Sequence, residues 1–71
     1  MESQFVGELR RGIIAAQDAS TAAADPYEAQ LHRSRLAELL RLADEHDVDT
    51  TALVRPDVSA ALAADRAALS E

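Results

Sequence analysis

Asp25-Pro26-Tyr27-Glu28 stands between two long segments whose apolar residues recur at helical spacing. The Asp25 carboxylate can accept from the free N–H groups of a helix starting at Pro26, because proline suits the first helical position. Glu28 can reach back to the Asp25 backbone N–H and complete a capping box. The stretch thus predicts a tight corner joining two helices. The fold expected around it is all-α: an antiparallel helical hairpin plus a shorter third helix, a small helical bundle completed by dimerisation.

Upstream, the pattern predicts a helix over about residues 3–23. Phe5, Leu9, Gly12, Ala16 and Ala23 share one stripe, Val6 and Ile13 lie beside it, and Glu8, Arg11 and Asp18 fall opposite. Ile14 breaks the pattern, projecting beside Arg10 and Thr21 on the other face. Gly12 costs about 1 kcal/mol relative to Ala inside a helix, and its place in the stripe suggests close approach by another helix.

Downstream, a helix is expected over about residues 26–46, with Ala29, Leu36, Leu39, Leu40 and Ala43 as its main stripe. Leu31 and Leu42 define a second stripe to one side, with Tyr27 at its edge. Two stripes give this helix two directions of contact. Arg41 and Glu45 can pair at i, i+4. The helix should end near Asp47, a residue less comfortable than Gly or Asn in the left-handed terminal position, with Val48 packing back. Asp49-Thr50-Thr51 then caps a short turn at about 50–54, and Pro56 starts a third helix over about 56–69. Its stripe of Val58, Leu62 and Leu69 is narrow and interrupted by Asp65. Arg35, framed by Leu31, Leu39 and Leu42, is the expected partner of Asp65.

Seventy-one residues make one small domain in which a single core is barely sufficient. Sixteen alanines give high helix propensity but little buried volume, so self-association is expected. The absence of Cys excludes disulfides and thiolate metal sites. Met1-Glu2-Ser3-Gln4 has no basic leader character and no apolar run is long enough to span a membrane, so a soluble, cytoplasmic protein is expected. A formal charge of −6 opposes general attraction to nucleic acid or anionic membranes.

Motifs that carry chemistry are scarce. Glu28 and His32 at i, i+4 can reach one divalent metal, but a site needs further ligands. His32 also faces the main Leu stripe, where a packed neutral imidazole is the simpler expectation. His46, among Asp44, Glu45, Asp47 and Asp49, suits the C-terminal end of a helix dipole. Those carboxylates lack the turn Gly and distal Glu of an EF-hand loop. Arg33, Arg35 and Arg41 are spread around the second helix rather than gathered on one face, and no aromatic stands ready to stack bases. Neither a nucleophile elbow nor a Gly-rich loop is present. No catalytic residue, cofactor, metal or small-molecule substrate is expected.

The leading functional expectation is a small non-catalytic protein–protein interaction module, an adaptor or regulatory subunit. Its partner or dimer surface would be formed by Ile14, Leu31, Arg35, Leu42 and Leu62. The partner would be a second copy, another protein, or both. Two other classes remain: a nucleic-acid-associated regulator whose arginines are gathered by dimerisation, and a metal-binding helical protein using Glu28 and His32.

Overall fold

The described residues form three capped or proline-started helices: α1 (Gln4–Ala22), α2 (Pro26–Glu45) and α3 (Pro56–Leu69). A computed structural model describes residues 3–70, which are 78% helical with no strand among them. Met1 and Glu2, half of the N-terminal stretch read for a leader, lie outside the described residues, as does Glu71.

Each boundary follows from local chemistry. Ser3 sits in extended backbone and its Oγ accepts from the Val6 N–H at 3.1 Å, starting α1. At the corner, Asp25 Oδ1 accepts from the Glu28 N–H at 2.9 Å and Pro26 occupies the first turn of α2. The Glu28 side chain makes no return bond among the described residues, so the corner has half of the capping box. α2 ends in a Schellman arrangement. The Val48 N–H donates to the Ala43 carbonyl at 2.8 Å and the Asp47 N–H to the Asp44 carbonyl at 3.2 Å. Asp47 adopts φ 56°, the left-handed conformation. Glycine reaches this region without the Cβ clash, and removing a carboxylate relieves repulsion with the negative end of the helix dipole. Asp47→Gly is therefore expected to stabilise the fold by about 1 kcal/mol, read as a rise in Tm of about 4–8 °C.

α1 and α2 pack antiparallel as a bundle-like pair. Leu9, Ile13 and Ala16 of α1 meet Leu36 and Ala43 of α2, and Ile13 and Leu36 are completely buried. Ile13 is thus central to the core, while Phe5 remains 43% exposed at the open end of the hairpin. The Phe5 ring stands edge-to-face with His46, with centroids 4.9 Å apart. Gly12 faces Leu39, but a Cβ there would meet the nearest methyl at 3.5 Å, an ordinary contact. The helices therefore do not need a glycine to approach. Gly12→Ala should stabilise by about 1 kcal/mol through helix propensity, measurable by urea denaturation with an unchanged m-value.

α3 is fastened at fewer points. Val58 is buried in the common core and Leu62 is partly buried against it, whereas Leu69 is 86% exposed. The described chain extends 38 × 26 × 17 Å and exposes 5085 Å². A compact monomer of its 7.6 kDa mass would expose about 4,300 Å². This slab therefore keeps several hundred Å² more surface in contact with water.

Candidate interaction surface

The connection between α2 and α3 is pinned by a buried polar side chain. Gln17 is 2% exposed; its Nε2 donates to the Leu53 carbonyl at 2.9 Å and its Oε1 accepts from the Arg55 N–H at 2.8 Å. One amide thereby satisfies a donor and an acceptor of a segment lacking helical partners. Exposed bonds from the Arg55 guanidinium to Asp18 and Thr21 follow the same line. Arg10 lies close enough to Asp49 to favour its charged form. The 49–55 segment thus runs along the strip of α1 that carries Arg10, Gln17 and Thr21. Ile14, out of register with the core stripe, belongs to this strip and stays 43% exposed.

α3 lies against the Leu40 and Arg33 flank of α2. Arg33 Nε and Nη2 donate to the two Asp65 carboxylate oxygens at 2.7 and 3.1 Å, a bidentate, part-buried pair. The sequence expectation of an Arg35–Asp65 pair is therefore corrected to Arg33–Asp65. Two residues on a helix differ by about 200° in direction, so when α3 docks on Arg33, Arg35 is turned away. The hydrogen bond from Arg33 holds the Asp65 carboxyl below its ordinary range; partial burial opposes this, and the charge of Arg33 adds to it. Bonds from Thr51 lower the Asp49 carboxyl in the same way.

A depressed folded-state pKa contributes stability that is present above the unfolded value, about 3.9 for Asp, and lost as pH falls through the folded value. Acidification below about pH 4 should therefore weaken α3 docking. Asp65→Asn should lower stability at pH 7 and flatten the acid limb of a Tm-against-pH curve. Asp49 keeps its own share of that limb.

The residues expected to form a partner surface divide into two groups. Leu31 is 53% exposed, and Ile14 and Arg35 are also exposed. Leu42 and Leu62 are partly buried against the core. Tyr27, 70% exposed, Leu31 and Arg35 succeed one another at i, i+4 along one flank of α2. Arg41 binds Glu45 and Glu38. Glu28 is exposed and His32 half-buried, and no group of three or more potential metal ligands converges among the described residues. The absent third ligand leaves Glu28 and His32 as an isolated i, i+4 pair.

A groove of about 530 Å³ separates α2 from the second half of α3, with Ala37, Leu40, Leu62 and Leu69 as its apolar residues. Sequence reasoning missed both this groove and Gln17. For Gln17 the available signal was its place four residues after Ile13, on the buried arc of α1. The groove arises from the splay of α3, which no local pattern encodes.

No protein-family model matches the chain, and neither a curated protein nor a solved structure does.

Proposed function

We propose that this chain is a small non-catalytic protein–protein interaction module, an adaptor or regulatory subunit that engages its partner through an apolar helix face. The observation that carries this reading is the Tyr27–Leu31–Arg35 flank of α2, which neither α1 nor α3 covers. Aromatic and aliphatic anchors beside an arginine suit the centre of a binding surface. Ile14 and Phe5, each 43% exposed, add separate apolar patches on two different sides of α1. Self-association belongs to the same reading, since a domain this thin gains stability by covering its faces.

The alternatives draw less support. Arg33 and Arg41, which a nucleic-acid surface would need, are engaged by Asp65, Glu38 and Glu45. The net charge of −6 also opposes polyanion binding. No helix among the described residues is long and apolar enough to cross a membrane.

The test is affinity capture from native extract with the wild type and with Leu31→Glu, whose exposed position leaves the core intact. Retention of a defined protein by the wild type alone supports the reading. Equal retention by both, or none by either, counts against it.

A further inference from the structure

The two halves of α3 are held in different ways. The near half is fixed at its start: Gln17 bonds the Leu53 carbonyl and the Arg55 N–H just before Pro56, and Val58 is buried in the common core. Among the described residues beyond Val58, only Ala61, Leu62 and Asp65 are even half-buried, and Arg66 to Ser70 are all exposed. Leu62 packs partly against the core, whereas Leu69 does not reach it. The groove beside Leu62 shows that this half stands away from α2 rather than packing closely on it. Across the gap runs the bidentate Arg33–Asp65 pair, its side chains 21% and 26% exposed.

Helix propensity does not hold this half by itself. α3 has 14 residues and no side-chain cap at its N-terminus. Helices shorter than about 12–15 residues are marginal in water even when rich in alanine. Order beyond Val58 therefore depends on docking, and docking there rests on Leu62 and one charge-assisted pair. Without the pair, too little apolar surface is buried to offset the conformational entropy of these residues.

We propose that the second half of α3 is a strap closed over α2 by the Arg33–Asp65 latch, and that it opens by melting while the α1/α2 hairpin stays folded. The hairpin keeps a core of its own in Leu9, Ile13, Ala16, Leu36 and Ala43. Opening uncovers Leu40, which lines the groove together with Leu62. Leu40 follows Leu31 by nine residues, about 900° of helical rotation, so it lies on the opposite side of α2. The strap thus conceals a second apolar flank of α2, whether or not the Leu31 flank has a partner.

Amide exchange of the whole chain, followed by NMR at several urea concentrations below the unfolding transition, tests this. The informative strap amides are those of Ala61, Leu62, Ala63, Ala64 and Asp65, which precede the fraying last turn. In the wild type they should exchange about a hundredfold faster than the amides of Ile13 and Leu36, and with a much weaker dependence on urea, because opening the strap exposes little surface. Asp65→Asn and Arg33→Gln should each accelerate the strap amides by about tenfold. The double variant should be no faster than either single one, since both remove the same latch. Equal rates and equal urea dependence in strap and hairpin would show one cooperative unit and overturn the proposal. Strap amides unmoved by Asp65→Asn would reduce the effect to end fraying, and additive effects of the two substitutions would show that no latch joins them; either result also overturns it. None of these results bears on whether the Leu31 flank captures another protein, so the two proposals fail separately.

Discussion

Gln17→Leu is expected to destabilise the protein by about 2–3 kcal/mol, because it leaves the Leu53 carbonyl and the Arg55 N–H without their shared partner. The change adds apolar character to a buried position, so a simple hydrophobicity argument predicts the reverse sign. Hydrogen bonding decides against it. The two backbone groups belong to a segment that forms only a short turn, and their bonds to Gln17 fix its path along α1. Releasing the segment also loosens Val54 and the start of α3, which follow directly. Glutamate is no substitute: it can accept from Arg55 but cannot donate to Leu53, and it places a charge in a buried site. A stability of about 4–10 kcal/mol is ordinary for a chain of this length, so the loss is a large fraction of the total. Urea denaturation of Gln17→Leu should give a much lower midpoint. Amide exchange should accelerate first in the 49–55 segment.

Leu36→Ala should cost about 3 kcal/mol, within the usual span of 2–5 for such truncations. Leu36 is completely buried on the face of α2 that meets α1 and shares one core with Ile13 and Val58. It therefore joins all three helices. The neighbouring core residues Ala16 and Ala43 are too small to close around the resulting cavity. An Ala-rich core has few large side chains to spare, so the loss of one is not shared among many. Thermal unfolding followed by circular dichroism should show a midpoint lowered by more than ten degrees, taking about 4–8 °C per kcal/mol.

What the sequence made legible is what short-range chemistry controls. Asp25-Pro26 set the corner because capping and proline geometry act within four residues, and the Asp25–Glu28 bond is present. Asp47-Val48 marked the end of α2 for the same reason, with Asp47 taking the strained conformation. The helical period placed Leu36 and Ala43 on the buried side of α2. The choice among several flanks of one helix was not legible. Arg33 and Arg35 lie two positions apart, and only the direction from which α3 returns selects Arg33 for Asp65. That direction is set by the path of the connecting segment, which Gln17 fixes through bonds spanning 36 and 38 residues. A polar residue inside an alanine-rich stretch reads as surface until its distant backbone partners are known. The same long-range geometry separates the exposed Leu31 from Leu42, which share a stripe in sequence but differ in burial.

The measurement that tests the central claim most directly is photo-crosslinking in the native cell. A benzophenone amino acid would replace Leu31 in one form and the exposed Gln30, turned about 100° away, in another. The account predicts a discrete adduct with a different protein from position 31 and none from position 30. No adduct from position 31, or equal labelling from both positions, would contradict the assignment of that flank as the interaction surface.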